Sequence, residues 1–157
     1  MGTVLQLRKR LAKQPVIIDF PEIELRNYGG DEDCQSWLEM RSECYSGPTA
    51  SAKSWTAADF GREFLSRGWW NPESMWFATS GEGAAATEIG SVTLSSAGSY
   101  RLQWLMVRPD CRRQGVGRAL VVAAERRCWE LGGREIELET LDQWTAATSL
   151  YRSLGYV

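Results

Sequence analysis

The stretch "VRPDCRRQGVGRAL", Val107 to Leu120, decides how this chain is read. It is entered from "YRLQWLMV", a strand-like run. It leads into apolar residues Val116, Leu120, Ala123, Ala124 and Leu131, which recur at helical spacing. Gly132 and Gly133 stop that helix, and "EIELETL" follows with Ile136, Leu138 and Thr140 on one face. A strand, a crossover helix and a second strand of this kind form a right-handed unit whose strands are parallel neighbours. The turn between strand and helix holds Arg108, Arg112, Arg113 and Arg118 around Gly115 and Gly117. From Arg101 to Arg118 five arginines face one acid, Asp110, in a chain whose net charge is -2. A helix start presents unbonded N–H groups and a partial positive charge, and glycines let successive amides converge on a ligand. The turn therefore suits a multiply charged anion such as a pyrophosphate.

The rest of the chain frames that unit. Its 157 residues, 43% hydrophobic, make one domain with a sizeable core. The balanced charge argues against a general nucleic-acid or membrane-surface role. No apolar run approaches the ~20 residues that cross a bilayer. Residues 1–21 read as an extension, a short basic helix followed by Pro15 and "VIIDF", and the domain proper as 22–157. "EIELRNY" alternates like a strand, and Asp31 caps a helix through "EDCQSWLEMRSECY". "TAADFGREFLSR" is a second helix, capped by Thr56, with Phe60, Phe64 and Leu65 facing inward. "SMWFATS", "TEIGSVTLSS" and "YRLQWLMV" form an antiparallel meander with Gly-containing turns. A last helix runs from Trp144 to Leu154, with Gly155 as its stop. The order is β-α-α-β-β-β-α-β-α, a mixed α/β fold.

Several chemistries are removed by composition. There is no histidine, which excludes Ser-His-Asp and Cys-His mechanisms. Cys34, Cys44, Cys111 and Cys128 match no common metal framework, so no metal is expected and the thiols read as those of a reduced, cytoplasmic protein. The turn lacks GxxxxGK[ST], and a dinucleotide fingerprint would need a small residue where Leu120 stands. Of the eight tryptophans, Trp69, Trp70 and Trp76 raise the idea of a cation cage, although core and rim packing is the commoner use of such residues. Taken alone, the turn also admits a bland reading, an ordinary helix cap with solvated arginines.

"LMVRPDCRRQGVGRAL" resembles the acyl-CoA-binding signature of the GNAT superfamily of N-acyltransferases, R/Q-x-x-G-x-G/A, with the core on Arg112, Gly115 and Gly117. The closing "AATSLYRSLGYV" is similar to the family's A-x-x-L-Y-x-x-x-G-F, through Ala147, Leu150, Tyr151, Gly155 and Tyr156. The resemblance implies a mixed, mostly antiparallel sheet flanked by helices, with the parallel strand–helix–strand unit opening as a V-shaped splay. It implies an N-acetyltransferase that moves an acetyl group from acetyl-CoA to a primary amine by direct attack. Leu105, Met106 and Val107 would meet the pantetheine arm. Arg112, Arg113, Gln114, Gly115, Val116, Gly117 and Arg118 would hold the pyrophosphate, and a backbone N–H near Met106 or Val107 would serve the oxyanion. Tyr151 would be the acid that protonates the departing thiolate. The amine acceptor, a small molecule or a protein, would approach past the two first helices and the loop "YSGPTASAKSW".

The chain departs from that pattern in three places. Arg101 stands where relatives carry a glutamate base, and neither Glu88, Glu137 nor Glu139 replaces it on sequence grounds. Trp144 stands where relatives have an asparagine that bonds the cofactor arm. Relatives continue past the equivalent of Gly155–Tyr156 into two more strands, and the resemblance leaves three readings of an ending at Val157: a truncated chain, a genuinely shortened domain, or completion by another segment. Without those strands "EIELETL" would be an open edge. "VIIDF" or a second copy of the chain, in a homodimer, is expected to cover it. A non-catalytic acyl-CoA-binding or sensing module is the alternative function, and a structural domain that retains the loop without a ligand is the third.

Overall fold

The computed structural model describes residues 2–45, 54–81 and 86–157. Its centre is a six-stranded sheet of β1 (Val4–Arg10), β2 (Ile23–Asn27), β3 (Met75–Ser80), β4 (Thr87–Ser95), β5 (Arg101–Val107) and β6 (Glu135–Leu141), in spatial order β1-β6-β5-β4-β3-β2. β2 through β5 pair antiparallel in sequence order, as the meander pattern predicts. β5 and β6 are parallel and joined by α3 (Val116–Glu130), the expected crossover. α1 (Asp31–Cys44) and α2 (Ala57–Phe60) cover one face of the sheet; α3 and α4 (Thr145–Ser153) cover the other.

Two cores follow from this layering. β3 is buried along Met75–Thr79 and β4 from Ile89 to Ser95, because helices press on both of their faces. On the α3 side Val92, Leu94, Leu120, Ala124, Ile136 and Leu138 pack together. On the α1 side Trp37, Met40, Phe60, Phe64, Phe77 and Met106 do the same. Ile136, Leu138 and Thr140 all point inward, as the alternation in "EIELETL" requires. No helix among the described residues is long and apolar enough to cross a membrane.

Three local readings are corrected. The basic N-terminus is strand β1, not a helix, and it pairs antiparallel with β6 from Val4↔Leu141 to Arg10↔Glu135. The edge of "EIELETL" is therefore covered by "VLQLRKR", not by "VIIDF", and is closed to a homodimer through it. β1 is held by more than its ladder. Lys9 Nζ lies 3.0 and 3.1 Å from the two carboxylate oxygens of buried Glu125, which also accepts from Tyr156 Oη at 2.7 Å. Arg8 and Val157 exchange backbone hydrogen bonds of 2.9 and 3.0 Å.

The second correction concerns α1. Asp31 lies inside its first turn, and the Asp33 carboxylate takes the bonding role instead, accepting from Gly29 N–H at 2.6 Å and from both Arg26 guanidinium nitrogens. Burial opposes ionisation of Asp33, but those partners outweigh it and hold its carboxyl below the usual range. Third, Leu65 is 44% exposed rather than inward. The Thr56–Asp59 capping box starts α2 as expected, but after Phe60 the backbone opens into a wider turn over Gly61–Leu65, which rotates Leu65 off the apolar face.

Candidate active site

β5 leaves β6 almost at once. The two strands share one registered pair, Arg101↔Glu137, with Glu137 N–H bonded to Tyr100 O at 3.0 Å, and then diverge. The cause lies in β5 itself. Its register against β4 slips between Ser91 and Thr93, and Trp104 adopts φ +54°, a left-handed conformation that bulky residues avoid. Strain of this kind costs about 1–3 kcal/mol and persists only where packing enforces it. Here the Trp104 ring is held by Trp55 at 5.0 Å, Trp37 at 5.4 Å and Tyr45 at 5.7 Å between centroids. The bulge bends β5 away from β6 and opens the expected splay.

Beyond the bulge the ladder fixes which backbone groups face the opening. Met106 is registered with Ser91, and Arg108 N–H bonds Ile89 O at 2.9 Å, so these two residues aim at β4. The alternation of an antiparallel pair then turns Leu105 and Val107 to the open side. Val107 O is occupied, accepting from Arg112 Nε at 3.0 Å and from the Cys44 thiol at 3.4 Å. The N–H of Val107, rather than that of Met106, is thus the group turned toward the splay.

The turn after β5 forms a cradle. Arg113 has φ +65° and Gly115 φ +86°, two left-handed residues on either side of Gln114. No described backbone carbonyl accepts from the amides of Gly115 through Arg118; Ala119 N–H is the first of α3 to bond, to Gly115 O at 3.0 Å. α3 starts there with no side-chain cap. A Cβ at Gly117 would lie 3.0 Å from Leu150 Cδ2, so glycine is what lets α3 approach α4 beside the splay. Open amides at a helix start are the chemistry that suits an anion.

The arginine side chains divide. Arg108 bonds Glu88 O at 2.7 Å and pairs with Glu43. Arg112 bonds Val107 O, Arg118 donates to Ser153 Oγ at 2.8 Å, and Arg101 pairs with Glu137 and Glu139. Exposed Arg113 makes no ion pair with a described residue.

Tyr151, on α4, is 7% exposed and packs edge-on against Tyr156 at 5.9 Å. Burial, and secondarily the neighbouring Tyr45 phenol, push its pKa well above the usual tyrosine value, so the hydroxyl stays protonated at neutral pH. Tyr45 was not singled out by sequence. Burial pushes its phenol up to about 12, and its ring spans from Trp104 to Trp144, bridging α1 to the start of α4. Trp144, 41% exposed, therefore packs across the splay.

The three carboxylates considered as bases are engaged: Glu88 with Arg26, and Glu137 and Glu139 with Arg101. The Arg101 guanidinium, then Ser99, holds the Glu137 carboxyl below its ordinary range, which makes it a poor proton acceptor. The aromatic cluster is not an empty cage, because the Arg41 guanidinium sits 4.5 Å from the Trp55 centroid and 5.5 Å from that of Trp104. Trp76 is buried in the α3-side core, and Trp69 and Trp70 pack edge to face. A cleft of about 250 Å³, lined by Glu63, Arg67, Trp69, Ser95, Arg101 and Gln103, lies at the end of β5 opposite the cradle. Of the loop expected to face the acceptor, residues 46–53 lie outside the described residues.

Comparison with known proteins gives a consistent result. The sequence model of the Acetyltransferase (GNAT) family matches residues 34–156. A mycothiol acetyltransferase of Geodermatophilus obscurus is 28% identical over 163 residues, covering 98% of this chain and 51% of that protein. An aminoglycoside N(6')-acetyltransferase type 1 of Klebsiella aerogenes is 32% identical over 133 residues, 79% of this chain and 83% of that protein. The crystal structure of a GCN5-related N-acetyltransferase from Sphaerobacter thermophilus shares the fold at a TM-score of 0.80 and 21% identity, covering 98% of this chain and 47% of that one. The chain thus spans about half the length of the first of these relatives and of the structural neighbour.

Proposed function

The chain belongs to the acetyltransferase (GNAT) family, and on that premise we propose that it transfers an acetyl group from acetyl-CoA to a primary amine by direct attack. Acetyl-CoA, as co-substrate, supplies an activated thioester. The observation that carries the reading is the coupling of splay and cradle: β5 parts from β6 after one pair and leads through a turn to a helix start whose amides, Gly115 to Arg118, are unbonded among the described residues.

In this reading the amides from Arg112 through Arg118, with Gln114, Gly115, Val116 and Gly117 between them, hold the diphosphate, and the Arg113 side chain adds charge. Leu105, Met106 and Val107 line the pantetheine arm. The Val107 N–H, turned to the open side, donates to the thioester carbonyl oxygen; loss of such a donor costs ~2.7–4 kcal/mol in other enzymes. The amine nitrogen bonds to the acyl carbon as the carbon–sulfur bond breaks, and Tyr151 gives its phenolic proton to the sulfur. The amine's surplus proton leaves to solvent, since the nearby carboxylates are held in ion pairs, and the Tyr151 oxygen regains a proton from solvent to close the cycle. Orientation of the two reactants supplies the larger part of the acceleration.

Acceptors reach the splay from the α1–α2 side, along which the Glu63–Gln103 cleft opens. An aminoglycoside belongs in the acceptor panel because the relative of that name is 32% identical over most of both chains. The test is calorimetric titration with CoA, followed by thiol release from acetyl-CoA with amino acids, polyamines, aminoglycosides and peptide amines. Saturable binding and amine-dependent thiol release are expected. Absence of CoA heat, or binding with no amine acylated, would overturn the proposal.

A further inference from the structure

The cradle is built around Gly115, yet glycine does not hold a left-handed turn by itself. It visits positive and negative φ about equally, so a Gly–Val–Gly entry to a helix is free to flip unless something presses on it. No side chain caps α3, and no described backbone carbonyl binds the amides of Gly115 to Arg118. What touches Gly115 is a residue 95 positions away by numbering: a Cβ placed there would meet Phe20 Cζ at 2.8 Å, Cε1 at 3.1 Å and Cε2 at 3.4 Å. The far edge of the Phe20 ring is therefore packed on the Gly115 backbone.

Phe20 arrives there on a strap anchored at several points. After β1, Leu11 is buried and its N–H bonds Arg134 O at 2.8 Å. Pro15 O then accepts from Arg126 Nη1 at 3.2 Å, which ties the strap to the flank of α3. Phe20 O accepts from Ile23 N–H at 3.1 Å, fixing the ring just before β2 begins. Phe20 belongs to neither core cluster, so its ring is not there to fill the interior.

We infer that Phe20 is a positioning residue for the cofactor cradle: its ring holds Gly115 in the left-handed conformation that makes the amides converge. This rests on the reading of the turn as the CoA site. The effect is pre-organisation. Restricting roughly one residue's backbone in advance corresponds to about a tenfold gain in affinity. The contact also explains why a side chain is excluded at Gly115 twice over, by its φ and by the ring.

The test compares Phe20→Ala and Phe20→Leu with the wild type in two independent measurements. In the ligand-free protein, hydrogen exchange at the Ala119 amide reports Gly115 directly, because that N–H bonds Gly115 O. Its protection should fall about tenfold in Phe20→Ala, stay near wild type in Phe20→Leu, and remain unchanged at Leu120 to Cys128. In the second measurement, CoA affinity should drop about tenfold and KM for acetyl-CoA rise by the same factor with kcat retained. Turnover of acetyl-pantetheine, which lacks the diphosphate, should not change. Unaltered Ala119 exchange overturns the inference, as does equal loss with acetyl-pantetheine or tighter CoA binding. Failure of the wild type to bind CoA overturns the site reading instead, and the Ala119 exchange still decides whether Phe20 positions the turn.

Discussion

Replacing Tyr151 by Phe isolates the proposed proton donor with little else disturbed. The ring keeps its place against Tyr156 and in the α3-side core, and no described residue hydrogen-bonds its hydroxyl. Stability should therefore change by no more than about 0.5 kcal/mol. The catalytic cost follows from the leaving group. General acids contribute roughly 10²–10⁴-fold. A thiol with a pKa near ~8.5 departs more readily than an alcohol or amine, which places the demand at the lower end. A hundredfold fall in kcat, ~2.7 kcal/mol of barrier, is expected. Because burial keeps the Tyr151 phenol protonated beyond the ordinary tyrosine range, the same factor should hold from about pH 6 to 9. Thiol release at saturating acetyl-CoA and amine reads kcat, and calorimetry reads CoA affinity, which should stay within about twofold. A Tyr151→Phe enzyme with kcat within about threefold of wild type and intact CoA binding would refute the assignment and leave Tyr151 as a packing residue.

Three further outcomes are expected. Burial raises the phenols of Tyr45, to about 12, and of Tyr151 and Tyr156. Above pH ~10 the unfolded chain gives up protons that the native state keeps, so stability should fall with pH there, by up to about 1.4 kcal/mol per unit for each tyrosine; urea unfolding that is flat from pH 9.5 to 11.5 would contradict this. Glu125→Gln keeps the size and the bond to Tyr156 but strands Lys9, whose side chain is 23% exposed. Solvent access moderates the ~3–5 kcal/mol typical of a broken buried pair to about 2 kcal/mol, and a wild-type urea midpoint would rule it out. Arg113→Ala should weaken CoA binding severalfold without loss of stability, whereas Arg108→Ala should destabilise the fold with affinity retained, since Arg108 is tied to Glu88 O and Glu43; equal affinity losses would remove the distinction.

Elements whose apolar period is local were legible in the sequence: β2 to β6, α1, α3 and α4 stand within one or a few residues of where the pattern puts them. β1 was not, because its evidence lies at the other end of the chain. In "VLQLRKR" only Leu7 is buried, and the basic residues read as a solvated helix. Their meaning appears only against β6, where Gln6, Arg8 and Arg10 stand opposite Glu139, Glu137 and Glu135. Cross-strand pairs of opposite charge stabilise such ladders, and an inspection for complementary alternation between "LQLRKR" and "EIELET" would have found the pairing. The cradle was legible for the opposite reason. Glycine placement and a helix start are local facts, so the turn could be read without knowing its surroundings. The positive φ of Trp104, the reach of Tyr45 and the Phe20 contact depend on packing between distant segments, and no local pattern encodes them.

That division changes what the arginines mean. Counted along the sequence, five of them between positions 101 and 118 suggest an electrostatic trap. In the structure, four are spent on the protein: Arg101 ties β5 to β6, Arg108 and Arg112 brace the end of β5, and Arg118 joins α3 to α4. Their positive charge still biases the region, but their hydrogen bonds serve to fix the backbone. Under the proposed function, anion recognition then falls to the amides that this bracing holds open, with Arg113 as the single side chain among the five not committed to a described partner. A cradle made of fixed dipoles is already arranged when its ligand arrives, whereas a cluster of flexible cations must first be ordered. In that reading the arginines contribute chiefly by rigidity, and the site depends little on the net charge of the chain.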